Sequence, residues 1–265
     1  RRRLHCARRA STYAGSSTSL RIGITLVPEA RGESHTGEWR FIAKECSSTV
    51  RGIFLAFEGP EGSGKSTQAR RLADRFLACG YDVVLTREPG GTPIGEQIRK
   101  IVLGEVNCAM LAETEALLYS AARAQHVREV IQPALAQGKV VISDRYADST
   151  LAYQGGGRGL PMDQLLAVQT LATGGLWPDL RLLLDLPVEI GLARRLMAEG
   201  EVNRLDRTEV AFHQRVRQAY LELAAANPAG WAIIDAGQEP ERVAVLVAEA
   251  VTARLGIPLC AESFA

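Results

Sequence analysis

From residue 53 onward the chain alternates short unbroken apolar runs with longer stretches in which apolar positions recur every three or four residues. IFLAF over 53–57 is a run of the kind that a strand buried on both faces requires. The stretch that begins beyond the next loop and closes at Gly80 has the spacing of an amphipathic helix with a glycine at its end. The same reading predicts strands over DVVLT (82–86), KVVIS (139–143), RLLLDL (181–186) and WAIID (231–235). It predicts a helix over 94–103 and a long helical segment over 112–137. Strand and helix in alternation predict an α/β fold, a mainly parallel sheet with helices on both faces and ligands at the carboxyl ends of its strands.

Residues 1–50 break this pattern. They are rich in Arg, Ser and Thr, carry no acid before Glu29, and show neither a helical nor a strand period. We read them as an extension outside the fold, with a domain over 51–260 and a short tail over 261–265. Two other readings of 1–50 stand beside this one, an organellar targeting segment and a start placed upstream of the true one. Charge adds little, since 31 basic residues balance 30 acidic ones and give no reason to expect a nucleic-acid or membrane-surface partner. Five scattered cysteines without a Cys-x-x-Cys pair suggest reduced thiols rather than a disulfide framework, as in a cytoplasmic protein.

Candidate chemistry begins directly after the first strand. Gly59, Gly64, Lys65 and Ser66 fit G-x-x-x-x-G-K-[ST] between a strand and a helix. In such a loop, Gly59, Pro60, Glu61, Gly62, Ser63, Gly64, Lys65, Ser66 and Thr67 wrap nucleotide phosphates with backbone N–H groups, aided by the positive end of the helix. Lys65 would reach the β and γ phosphates of ATP, and the Ser66 hydroxyl would ligate Mg²⁺. A guanine-reading Asn-Lys-x-Asp is absent, as is the Leu-Ser-Gly-Gly-Gln of transport ATPases. The loop therefore names a phosphate donor and leaves the acceptor open.

Three more segments face that question: TREPGGTPIGEQIRKIV (86–102), ALLYSAARAQHV (116–127) and SDRYADSTLAYQGGGRG (143–159). Together with FEGPEGSGKST they resemble the thymidylate kinases over about residues 51–257, in family order. The resemblance implies a P-loop NTPase of the nucleoside monophosphate kinase type, with a five-stranded parallel sheet and a short lid. It implies transfer of the γ-phosphate of ATP to dTMP and a homodimer. Arg145 and Arg99 match arginines that hold the acceptor phosphate, for which a guanidinium offers a rigid fork. Tyr119 takes the place of an aromatic, commonly Phe, that stacks on thymine. Arg123, four residues on and thus on the same helix face, matches the donor to the base's O4. Ser149, Thr150 and Gln154 match polar positions on the thymine edge, and Tyr153 an aromatic beneath the deoxyribose. Glu61 matches an acid that contacts the sugar 3′-hydroxyl, Glu88 an acid on the acceptor side, and Pro89 a residue that follows a cis peptide bond. Asp144 has two readings, a structural partner of nearby cations or a water-mediated contact to Mg²⁺.

GLARRLMAEGEVNRLDR (191–207) breaks helical patterning near AEGEVN and reads as a mobile lid. Phosphoryl transfer needs positive charge over the migrating group. Eukaryotic relatives place that arginine at the position of Gly62, bacterial ones in the lid. This implies Arg204 first and Arg194 second as its source, with Arg195 and Arg207 solvated or paired. Rival readings are a kinase of another nucleoside monophosphate, such as dUMP or UMP, and a nucleotide-binding module without transfer.

Overall fold

The computed structural model describes residues 51–197, 204–206 and 208–259. The extension expected over 1–50, the tail over 261–265 and the centre of the 191–207 stretch, with Arg207, lie outside the described residues.

Strands β1 (Ile53–Glu58), β2 (Val83–Arg87), β3 (Val140–Asp144), β4 (Leu180–Asp185) and β5 (Trp231–Asp235) form one parallel sheet in the order β2-β3-β1-β4-β5. Each lies within one residue of its predicted span. Alternation along β1 feeds two cores. Leu55 and Phe57 face α1 (Lys65–Ala78) and α9 (Pro240–Leu255), where they pack with Leu72, Phe76, Val243 and Val247. Phe54 and Ala56 face the opposite layer, with Val127, Ile131, Leu135 and Tyr146. On that side α8 (Val210–Ala226) covers the sheet through Leu183 and Trp231. Chain direction changes sides at β1, so the crevice at its carboxyl end is the topological switch point where such sheets bind ligands.

The predicted helix over 112–137 is present but not uniform. It runs as α3 (Ala112–His126), widens to a π-type turn over Val127–Ile131, and ends as α4 (Gln132–Ala136). Pro133 has no N–H to give to the carbonyl four residues earlier and its ring crowds that carbonyl, which accounts for the wider turn. Helix α2 (Pro93–Leu103) starts where its sequence dictates: Thr92 Oγ1 accepts from Gly95 N–H at 3.0 Å and Pro93 occupies the first turn. After β3, α5 (Ala147–Thr150) passes into a wide helical stretch over Leu151–Gly157 that lies against α8. The QGGGRG glycines permit this approach, since a Cβ on Gly156 would sit 2.4 Å from the Ala219 Cβ. Helices α6 (Met162–Thr173) and α7 (Val188–Met197) complete the domain. Among the described residues no helix is long and apolar enough to cross a membrane.

Leu182, in the middle of β4 and paired with Phe57 and Ala232, has no exposed surface. Leu182→Ala is expected to lower unfolding free energy by about 2–5 kcal/mol, read as a lower urea midpoint at unchanged slope.

Candidate active site

β1 and β3 run in register and end together, Phe57 opposite Asp144, so the loop after one strand faces the turn after the other. That turn holds Arg145 in the left-handed region at φ 72, sparsely populated for a side chain with a Cβ. The geometry is over-determined: Arg145 N–H donates to Phe57 O at 2.9 Å, Ser143 Oγ to Arg145 O at 2.8 Å, and Tyr146 N–H to Glu58 Oε1 at 2.8 Å. The Arg145 guanidinium thereby turns toward the loop, donating to Gly59 O at 3.1 Å, Glu61 Oε1 at 3.0 Å and Tyr153 Oη at 3.0 Å.

A cavity of about 390 Å³ opens between these parts. The loop contributes Glu61, Gly62, Gly64, Lys65, Ser66 and Thr67. The opposite walls bring Glu88, Pro89 and Arg99, then Tyr119 and Arg123 from α3, then Asp144, Arg145, Ser149, Thr150, Tyr153 and Gln154. Gly59, Pro60 and Ser63 are not on the lining: Gly59 O accepts from Arg145, and Lys65 Nζ donates to Pro60 O at 2.7 Å and Ser63 Oγ at 3.2 Å. The Glu88–Pro89 bond is cis. Pro89 O accepts from Arg99 at 2.8 Å.

Charge at the loop is arranged for an anion. Helix α1 starts at Lys65 with no side-chain cap and no acid in its first turn, which leaves its amide end open to phosphate. Burial and then Arg145 depress Lys65 to about 8, with Glu61 and Asp144 opposing, so the ammonium stays largely charged at neutral pH. Burial pushes Glu61 up, but Arg145 and Lys65 together outweigh it and hold the carboxyl at about 2. Ser66 Oγ donates to Asp144 Oδ2 in a short hydrogen bond. These two hard oxygen donors at the foot of a phosphate loop fit Mg²⁺ by chemistry.

The wall built by α3 and the segment after β3 is fixed by buried polar contacts. Arg123, 2% exposed, spends four of its five N–H groups on Glu88 Oε2 (2.7 Å), Thr150 Oγ1 (2.9 Å), Gln169 Oε1 (2.5 Å) and Tyr146 O (2.9 Å). One donor remains. Of the arginines over 191–207, neither Arg204 nor Arg194 lines the cavity. Arg204 Nε donates to Val102 O at 2.6 Å and its Nη2 pairs with Glu115 at 2.5 Å; Arg194 donates to Ala236 O at 2.9 Å. Arg195, read from the sequence as solvated or paired, is both on the lining and paired with Asp206 at 3.1 Å.

A family model for thymidylate kinase matches residues 57–247. The chain belongs to the thymidylate kinase family. Curated relatives named thymidylate kinase support the match. The protein of Thermomicrobium roseum is 54% identical over 200 residues, 75% of this chain and 94% of that protein. That of Pseudomonas fluorescens strain Pf0-1 is 54% identical over 189 residues, 71% of this chain and 90% of its own length. The Herpetosiphon aurantiacus protein is 49% identical over 213 residues, at 71% and 90% coverage.

Against this thymidylate kinase framework, several site residues escaped the sequence reading. Arg87 lines the cavity and pairs with Glu96 at 3.0 Å. His126 takes the second Glu88 oxygen, Nδ1 to Oε1 at 2.9 Å, while its Nε2 meets Thr86 Oγ1 at 2.7 Å; its spacing of three from Arg123 was the available signal. Glu58, an acid ending an apolar strand, is wholly buried and accepts from Ser149 Oγ at 2.6 Å and Tyr220 Oη at 2.8 Å. Burial, then Asp148, pushes its carboxyl up to about 7.

The folded state thus holds the Glu58 proton more tightly than the unfolded chain, whose carboxyl titrates near 4.5. Its contribution to stability is full below about pH 4.5 and is lost as pH rises to about 7. Glu61, with a depressed value, has the opposite sign and loses its contribution as pH falls from 4.5 toward 2. Glu58→Gln is expected to abolish the decline between pH 4.5 and 7 in urea-denaturation midpoints. Parallel pH profiles in the two proteins would rule this out.

Proposed function

We propose that this protein transfers the γ-phosphate of ATP to dTMP, giving dTDP for dTTP synthesis, with Mg²⁺ as cofactor. The observation that carries the reading is Arg145, which stands between the phosphate loop and the base-facing wall and can hold an acceptor phosphate in line with a donor on the loop. Lys65 and the open end of α1 hold the β and γ phosphates. Ser66, with Asp144 beside it, would hold Mg²⁺, which would supply positive charge to offset that of the phosphates. Arg145 and Arg99 grip the dTMP phosphate, one oxygen of which forms the new bond to the γ-phosphorus as the bond to ADP breaks. No general base is required, because positioning and charge carry this chemistry.

The remaining walls sort the acceptor. Tyr119 offers its ring to the base, and the one uncommitted Arg123 N–H suits a carbonyl at O4. Glu88 fixes Arg123, with His126 holding Glu88 in turn. Ser149, Thr150 and Gln154 line the edge, while Tyr153 and Glu61 serve the deoxyribose. Exposed Ile101, Leu117, Leu166 and Leu171, on α2, α3 and α6, suit a second copy of the chain, so the working form is a homodimer. A cytoplasmic location fits this chemistry.

We assign the charge over the migrating phosphoryl group to Arg195, the lid arginine on the cavity wall, with Arg194 and Arg204 anchoring the arm. In a coupled assay of ADP release, dTMP is expected to turn over fast, dUMP less efficiently, and dCMP, UMP and no acceptor slowly. Arg195→Ala is expected to lower kcat by about 10³ with KM for dTMP little changed. A loss of that size at Arg204→Ala instead would move the role to Arg204 and require it to leave Glu115. Acceptor-independent ATP hydrolysis would defeat the kinase reading.

A further inference from the structure

Glu115 lies on α3 with no exposed surface and has no role in the reaction above. Its carboxylate accepts from Gln154 Nε2 at 2.7 Å and from Arg158 Nε and Nη2 at 3.4 and 3.3 Å, and pairs with Arg204 at 2.5 Å. Burial pushes this carboxyl up, but the Gln154 amide, Arg204 and Arg158 together bring it below its ordinary range. It is therefore ionised, and an ionised carboxylate only accepts.

An acceptor in that place selects one of the two orientations open to the Gln154 amide, with the NH₂ toward α3 and the carbonyl turned away. Among the described residues no protein group donates to Gln154 Oε1, and Gln154 lines the same cavity as Arg123. Arg123 is committed in the complementary sense, with four donors spent and one left. The wall thus offers one fixed acceptor and one fixed donor. A thymine or uracil ring presents N3–H beside the O4 carbonyl and satisfies both. Cytosine presents an acceptor at N3 beside an amino donor, so like groups would face each other at both positions, and buried polar groups left unpaired discriminate strongly.

We infer that Glu115 is a specificity-positioning residue: by fixing the Gln154 amide with its carbonyl toward the acceptor base, it makes the pocket reject a cytosine ring. This rests on the dTMP kinase reading above. A glutamine at 115 could present either end of its own amide, so the Gln154 amide would no longer be committed.

The test compares kcat/KM for dTMP and dCMP, with ATP and Mg²⁺, in the full chain and in Glu115→Gln, Gln154→Met and the double variant. The expected result is that the dTMP:dCMP ratio falls about tenfold or more in Glu115→Gln, chiefly through a higher KM for dTMP. Gln154→Met should lose a similar factor, and adding Glu115→Gln to it should change the ratio no further, because the carboxylate acts through that amide. An active Glu115→Gln enzyme with the unchanged ratio, or losses that multiply in the double variant, would overturn the inference. If Glu115→Gln does not fold, Glu115→Asp sets the carboxylate back by one methylene and is read in the same way, a retained ratio again overturning it. A parent chain without dTMP-dependent turnover would overturn the kinase reading and this inference together, whereas the other negative results sink this inference alone.

Discussion

The ion pair between Arg145 and Glu61, at 3.0 Å, joins the phosphate loop to the turn after β3, and the rest of the site is arranged around it. Its value is geometric. Its two side chains keep 16% and 17% of their surface exposed, so solvent screens the attraction and the pair stabilises the fold only weakly. Arg145 also sits at φ 72, a conformation that costs on the order of 1–3 kcal/mol for a non-glycine residue. Three backbone-anchored hydrogen bonds, from Arg145 N–H, Ser143 Oγ and Tyr146 N–H, hold it there. The carboxyl ends of β1 and β3 therefore specify both the direction of the guanidinium and its partner.

Much of this was legible in the chain. A parallel strand covered on both faces must be an apolar run, which is why all five strands could be read to within a residue. The phosphate loop was legible because nine consecutive residues carry it and its chemistry is local. That Arg99, Tyr119, Arg123 and Arg145 share one cavity was legible only through resemblance, since they are ordinary charged and aromatic residues until they meet. What stayed hidden is the layer behind them. Glu58 meets Tyr220 across 162 positions, Glu88 meets His126 across 38, and Arg123 meets Gln169 across 46. No periodicity marks a pair separated in that way.

The arginines of 194–204 could not be told apart in the sequence for a different reason. They are close along the chain, yet they go to three anchors. Arg194 and Arg195 are adjacent on α7 and so point about 100° apart around its axis, one to Ala236 O and the other to the cavity. Arg204, beyond the break in helical pattern, reaches Val102 O and Glu115 instead. Composition marks such an arm as cationic, but helical phase decides which cation reaches the cavity lining.

That phase matters because the phosphate loop has no room for an arginine of its own. Gly62 adopts φ 68, and a Cβ there would lie 1.9 Å from Gly191 O in α7. Gly191 is equally confined, since its Cβ would lie 2.3 Å from Glu61 O. The loop and α7 are thus in backbone contact, and any side chain at 62 would have to push the helix away before it could reach a phosphate. Among the described residues of α7, Arg195 is the one that brings a positive charge to the cavity lining. The same contact that excludes an arginine from position 62 sets the base of α7 against the loop and carries Arg195, one turn further along, to the cavity wall.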